Sequence, residues 1–301
     1  KYLCYLLIFC GFLLHYIFRY VRQLSTKNKF ECRVRSPLSL RADLLDEWLK
    51  RDLDAQPFPK ILSKPSKRRQ CSCCGYISTA SSWKGWGKGE RRATRPRCPV
   101  CGSVERHRLL CLFLKTETAY YEERFSVLEF TPFSRIMAGK HDYTAADLNP
   151  GSYGTSGVHS ERIDITEIPH KENSFDFVIV SMILEHVLDE RSAVQEVLRV
   201  LKPKRGFAFF SVPIDFRQSE TIEENVKTYG SLNSTRLLEK YGQKDHVRLY
   251  GRDFLTRWED MGCSMKFVTP QSFLSRGDIQ KYVLDVYDNI YICSKNSRRF
   301  F

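Results

Sequence analysis

The sequence predicts an α/β fold around a parallel sheet covered on both faces, and three observations within Ser174 to Pro213 carry that expectation. Phe175, Phe177, Val178, Ile179 and Val180 form a nearly continuous apolar run, the pattern of a strand buried on both sides rather than of an alternating, half-exposed one. From Glu190 onward, Ala193, Val194, Val197, Leu198 and Leu201 recur at helical spacing, and Lys202 with Pro203 supplies a basic end and a stop. A second buried strand follows from Phe207 to Val212. Strand, helix and strand make one βαβ unit. Sheets of this kind bind ligands at the carboxyl ends of their strands, so Ser181, Met182, Glu185 and His186 fall where a cofactor or substrate would sit.

SFDFVIVSMILEHVLDERSAVQEVLRVLKPKRG resembles the region around the fourth and fifth strands of class I S-adenosylmethionine-dependent methyltransferases, in the methyltransferase type 11 group. The resemblance extends upstream. SVLEF (Ser126 to Phe130) is similar to the first strand of that fold, YTAADL (Tyr143 to Leu148) to the second, and ERIDITEIP (Glu161 to Pro169) to the third with its loop. Downstream it continues through DHVRLYG (Asp245 to Gly251) and the closing strand NIYICSK. It implies a Rossmann-like seven-stranded methyltransferase sheet, methyl transfer to an unidentified acceptor, and S-adenosylmethionine as cofactor.

That cofactor presents a ribose diol, an adenine amine, an amino acid head and a sulfonium, each asking for a different partner. Asp147 lies eighteen residues after Glu129, the distance at which a dinucleotide fold puts its ribose-binding carboxylate. The resemblance implies that Asp164 accepts from the adenine amine with Ile165 beside the ring, that Glu129 and Thr131 lie near the amino acid head, and that Ser181 lines the site. An Asp after a strand is also a common turn or cap residue. Three departures stand out: TPFSR in place of a glycine-rich loop after Phe130, KRG in place of two glycines, and Met182 in place of histidine. Zinc-bearing relatives also carry a proline in the first loop, as Pro132 does here.

CSCCG at Cys71 to Gly75 and CPVCG at Cys98 to Gly102 each pair two cysteines two residues apart before a glycine, which lets two tight knuckles offer four thiolates to one tetrahedral ion. Zinc with Cys71, Cys74, Cys98 and Cys101 is the expected site, Cys73 being an extra thiol and disulfides the lesser alternative. Charge concentrates here. From Lys60 to Lys115 there are fourteen Lys or Arg against two acidic residues, whereas from Thr116 onward twenty-four basic residues face twenty-seven acidic ones. Such a basic module with Trp83 and Trp86 could contact RNA, but no nucleic-acid recognition motif accompanies the charge, so nucleic acid is not the favoured partner. Arg106, His107 and Arg108 are expected to pack and cap at the junction between domains rather than bind phosphate.

Tyr2 to Phe18 is an apolar, aromatic run interrupted by Gly11 and His15 and followed by Arg19 and Arg22. Its length sits near the lower limit for a membrane-spanning helix, which predicts an N-terminal hydrophobic helix acting as a single-pass anchor, with the catalytic domain facing the cytosol and its thiols reduced. The expected organisation is therefore a membrane anchor over 1–24, a polar helix and proline-punctuated linker over 25–65, the basic zinc-binding module over 66–115, and the methyltransferase-like domain over 116–301.

Ile214 to Tyr250 is a polar, turn-rich insert of the kind that covers a substrate. Glu185 with His186 on the fourth strand, and Asp245 with His246 on this insert, are the candidate base or positioning residues. A noncatalytic adaptor that keeps the fold and binds a partner or RNA through the zinc module is the alternative to an enzyme.

Overall fold

In the computed structural model of the chain, the described residues are 68–79, 82–85, 96–133, 137–151, 159–224, 233–241 and 243–295. Two short antiparallel hairpins come first, β1 (Arg68–Gln70) with β2 (Ile77–Thr79) and β3 (Lys84–Gly85) with β4 (Pro96–Arg97). Helix α1 (Glu105–Glu117) leads into β5 (Ser126–Phe130), β6 (Asp142–Asp147), β7 (Glu161–Arg162) and β8 (Phe177–Ser181). A 3-10 turn at Leu184–His186 precedes α2 (Glu190–Val200) and β9 (Phe207–Ser211). Then come β10 (Ile222–Glu223), α3 (Ser234–Tyr241), β11 (Arg248–Leu249), α4 (Phe254–Glu259), β12 (Ser264–Val268), α5 (Pro270–Phe273), α6 (Arg276–Lys281) and β13 (Ile290–Ser294).

Seven strands form one sheet in the order β12-β13-β9-β8-β5-β6-β7. The five from β9 to β7 run parallel, and β13 inserts antiparallel between β9 and β12. Alternation along each strand divides the core into two layers. Val178, Val180, Ala208, Phe210, Tyr291 and Cys293 face Ala193, Val194 and Val197 of α2 and Trp258 of α4. Phe177, Ile179, Phe209, Ile290 and Ile292 face Leu109, Phe113 and Leu114 of α1. Burial on both faces is why these strands read as unbroken apolar runs.

The expected first, second, fourth, fifth and closing strands all form, as does the helix from Glu190. The third departs. Only Glu161–Arg162 pair with β6, after which Asp164 bridges to Glu167 and the chain turns. An edge strand has one neighbour to hold it, and a carboxylate that captures its own downstream backbone ends it early. At LKPKRG, Lys204 takes φ 66, while a Cβ on Gly206 would lie 2.5 Å from the Lys202 carbonyl oxygen. Glycine is required at 206, and lysine tolerates the left-handed position at 204.

The arginine-rich junction packs as expected. Arg108 is fully buried and donates to the carbonyls of Pro96 (3.1 Å), Ser103 (2.7 Å), Tyr282 (2.9 Å) and Val283 (2.6 Å), with its guanidinium 5.1 Å over the Trp83 ring. It binds the cysteine knuckles to the sheet. α1 crosses the boundary expected at 115, with Leu109, Phe113 and Leu114 in the sheet core.

Two expectations are corrected. Reduced thiols do not hold throughout, since disulfides join Cys73 to Cys111 and Cys263 to Cys293. Each pair is brought together by tertiary packing, the first between a knuckle and α1 and the second across the β12–β13 edge. The single-pass membrane placement is also corrected: among the described residues no helix is long and apolar enough to cross a membrane. The run from Tyr2 to Phe18, the polar helix and linker expected over 25–65, and Trp86 lie outside the described residues.

Glu190 ties the carboxyl-terminal layer together. Its carboxylate accepts from the Tyr250 hydroxyl (2.6 Å), the Trp258 indole (2.7 Å) and the Arg257 guanidinium, with Arg248 at 3.8 Å. Removing one member leaves buried donors and a buried cation uncompensated. Glu190→Ala is therefore expected to lower stability by about 3–5 kcal/mol, read from the midpoint of urea unfolding.

Candidate functional site

The order of the sheet reverses between β5 and β8, and a crevice opens at the carboxyl ends of those two strands. Both strands leave the sheet through a left-handed residue that is not glycine, Thr131 at φ 53 and Met182 at φ 59. Thr131 donates its N–H to Ala146 at 2.8 Å and Met182 to Ser211 at 2.7 Å, so neighbouring strands hold the two bends. The sharp exit that a glycine would make freely is made here under strain.

Glu129 ends β5 at 2% exposure, accepting a hydrogen bond from the Tyr143 hydroxyl. Burial pushes its carboxyl up to about 8, against the opposing effect of that bond. Arg106, His107, Phe133, Ser181 and Ser211 join it around a narrow cleft. His107 stacks on Phe133 with ring centroids 4.0 Å apart and accepts from the Val104 N–H at 3.4 Å. Burial, with the charges of Arg106 and Arg108, holds it well below the usual imidazole range and therefore neutral. The basic segment after the second knuckle thus reaches the crevice through α1.

The other cofactor candidates spread along the same edge. Asp147 closes β6 and accepts from the Asn149 N–H at 2.7 Å; Asp164 accepts from the Thr166 N–H at 2.8 Å and its hydroxyl at 2.7 Å. Both make the tight turns open to an Asp after a strand, Asp147 half-buried and Asp164 exposed. Ile165 is packed into the core with Ile163 and Ile168. Ser181 is half-buried on the cleft wall.

The two acid–imidazole pairs, sixty residues apart in sequence, meet. Donor atoms of Glu185, His186 and His246 lie within 4.8 Å of one another, and the two imidazole rings are edge to face at 4.7 Å. His186 Nδ1 is 3.1 Å from the Asp245 carbonyl and 3.4 Å from its carboxylate. Glu185 is fully buried, and neither carboxylate oxygen has a hydrogen-bond partner among the described residues; nor has Nδ1 of His246. Burial raises Glu185 to about 8 and lowers His246 to about 4, each toward its neutral form. The turn that carries Glu185 and His186 is clamped from the insert. Arg248, 1% exposed, donates to the carbonyls of Leu184 (2.5 Å), Val187 (2.6 Å) and Leu188 (3.3 Å), and the Val247 N–H donates to the Glu185 carbonyl at 2.9 Å.

The cysteine knuckles form a second site. Gly75 and Gly102 take φ 78 and 72, letting their N–H groups return to the carbonyls of Cys71 (2.9 Å) and Cys98 (3.0 Å). Sγ of Cys71 is 3.6 Å from that of Cys101, and Sγ of Cys74 is 3.7 Å from that of Cys98. Tetrahedral ligands about 2.3 Å from a zinc ion stand about 3.8 Å apart, so the four sulfurs fit such an ion. The buried Ser103 hydroxyl lies 3.1 Å from the Cys71 sulfur and 3.2 Å from that of Cys101, placed to orient both. Cys73 points away into its disulfide, which leaves the expected four together.

Residues 131–210 match the methyltransferase domain family. The segment runs from the exit of β5 through β9 and contains Asp147, Asp164, Ser181, Glu185 and His186. Among curated proteins, the chain is similar to the ubiquinone/menaquinone biosynthesis C-methyltransferase of Vibrio cholerae, 30% identical over 124 residues, covering 37% of this chain and 45% of that protein. It is also similar to demethylmenaquinone methyltransferase of Clavibacter sepedonicus, 25% identical over 130 residues, covering 35% of this chain and 53% of that protein. The chain thus spans about half the length of the curated relatives it matches. A solved structure, the 1,6-didemethyltoxoflavin-N1-methyltransferase of Burkholderia thailandensis with bound S-adenosylhomocysteine, superposes with a TM-score of 0.38 at 12% identity, covering 58% of this chain and 72% of that one. The similarity to methyltransferases thus rests on the matched segment, residues 131–210, and on these partial matches.

Tyr143, Ser211 and Arg248 are site residues that sequence reasoning missed. Tyr143 has no signal of its own, because its meeting with Glu129 depends on the β5–β6 register; Arg248 stood in the DHVRLYG stretch beside the imidazole that was singled out. Glu129 binds a proton more tightly folded than unfolded, so its contribution to stability is full below about 4.5 and is lost as pH rises through about 8. Glu129→Gln is expected to melt close to wild type at pH 4.5 and above it at pH 8, which thermal unfolding across that range would check.

Proposed function

We propose that the chain is an S-adenosylmethionine-dependent methyltransferase that binds its cofactor across the ends of β5, β6 and β8. The observation that carries this reading is the set of polar side chains, Glu129, Asp147 and Ser181, at the carboxyl ends of those strands around the point where sheet order reverses, in a segment matching the methyltransferase family. Asp147 holds the ribose diol, Asp164 meets the adenine amine, and Glu129 with the backbone at Thr131 receives the amino acid head. The cofactor supplies a methyl on a cationic sulfur, which an acceptor nucleophile displaces in line. Few residues need be chemical in such a step. Glu185, His186, Asp245 and His246 position the acceptor beyond β8 and receive the proton it sheds. Arg248 and the Val247 N–H keep that group in place through its own backbone.

Titrating S-adenosylmethionine calorimetrically into the chain and into Asp147→Ala tests this reading. Binding to the wild-type protein that weakens about tenfold or more in the variant is the expected result, the cost of losing a charge-assisted bond. Absence of binding by the folded wild-type chain would overturn the cofactor reading in favour of a noncatalytic adaptor.

We further propose that Cys71, Cys74, Cys98 and Cys101 hold a structural zinc ion. Four thiolates around a divalent cation leave a net charge of −2, which the buried Arg108 guanidinium beside the knuckles offsets. Chelation is expected to expose four additional reactive thiols and to lower the melting temperature of the whole protein, since Arg108 would lose Pro96 and Ser103 as acceptors. An unchanged melting curve after metal removal would count against the ion's structural role.

A further inference from the structure

We propose that Glu185, His186 and His246 form a second metal site, taking a divalent first-row transition ion through one carboxylate and two imidazoles. The three donors come from separate parts of the chain, the turn after β8 and the segment before β11, yet lie within 4.8 Å of one another. Glu185 is fully buried and His246 is 4% exposed, and the Glu185 carboxylate and His246 Nδ1 have no hydrogen-bond partner among the described residues. A buried carboxylate whose two oxygens are both unpaired is costly, and native interiors rarely keep one. The guanidiniums of Arg106 and Arg248 favour its charged form from a distance without bonding to it, and Arg248 spends its donors on Glu223 and on the carbonyls of Leu184, Val187 and Leu188. A cation between the carboxylate and the imidazoles supplies the missing partner.

The surroundings match what a metal-binding histidine needs. Asp245 lies against Nδ1 of His186 through both its carbonyl and its carboxylate, which leaves Nε2 as the ligand and orients the ring, as carboxylates behind metal-bound histidines do. The backbone on both sides is fixed by the Val247 N–H on the Glu185 carbonyl and by the Arg248 clamp, so the donors are held in place before an ion arrives. Two imidazoles and a carboxylate without thiolate suit zinc, manganese or iron(II) and leave positions open. Within the methyl-transfer reading, on which this consequence alone rests, an acceptor oxygen at an open position would lose its proton more readily.

The site is distinct from the cysteine cluster in ligand chemistry, and that separates them experimentally. The whole chain, stripped by chelation and titrated with cobalt(II), is expected to bind two equivalents, one with strong thiolate-to-cobalt absorption and one without. Glu185→Gln, which keeps the buried shape, and His246→Ala should each lose the second equivalent and retain the thiolate spectrum. Only thiolate-bound cobalt in the wild-type chain, or a non-thiolate equivalent that persists in both variants, would overturn the proposal. Two equivalents in a chain that binds no S-adenosylmethionine would sink the methyl-transfer reading and leave the metal site standing.

Discussion

A guanidinium buried among backbone carbonyls is the constraint on which the rest of this structure depends. Arg108 satisfies its donors on four backbone carbonyls, two flanking the second cysteine knuckle and two from the turn after α6. Carbonyls accept such a charge only when several are aimed at it at once, so the bond set requires the knuckles, α1 and the approach to β13 to be in place together. Val283, one of the four acceptors, is itself at φ 53, a costly conformation for a branched residue. The Cys73–Cys111 disulfide reinforces the same seam one turn further along α1. A small module whose buried core among the described residues is Trp83, Cys71 and Cys98 thereby becomes part of the sheet domain.

That attachment determines what reaches the crevice. With α1 anchored at Arg108, the preceding residues Arg106 and His107 are directed over the ends of β5 and β8, and His107 stacks on Phe133 from the loop after β5. The second imidazole–carboxylate cluster is assembled by an arginine in the same way, Arg248 holding the carbonyls of the turn after β8 while Val247 pairs with Glu185. In both places a buried guanidinium fixes backbone, and the backbone then presents titratable side chains to a dry interior where their charges are costly. The surrounding hydrogen bonds overdetermine the positions of these buried polar groups.

Much of this arrangement is legible in the sequence. Strands buried on both faces leave continuous apolar runs, so β8 and β9 are evident, and the helical spacing from Ala193 to Leu201 with its Lys–Pro stop locates α2. Paired cysteines followed by glycine locate the knuckles because the left-handed turn they make has few other solutions. The acidic and imidazole residues at 185–186 and 245–246 are visible as pairs, and their placement in one cluster is not. β7 is less legible than its sequence suggests, since an edge strand depends on a single neighbour and Asp164 ends it.

Local sequence by itself determined the elements that rest on short-range physics: apolar periodicity, helix stops, tight turns and metal-ligand spacing. Tertiary structure alone decided which distant groups meet. The contact of Tyr143 with Glu129 follows from strand register, the Cys263–Cys293 bridge from the antiparallel edge, and the meeting of Glu185 with His246 from an insert folded back over β8. Burial decided their chemistry as well. A glutamate's affinity for its proton depends on how much water and which charges surround it, and these are fixed only when the chain has closed around the side chain.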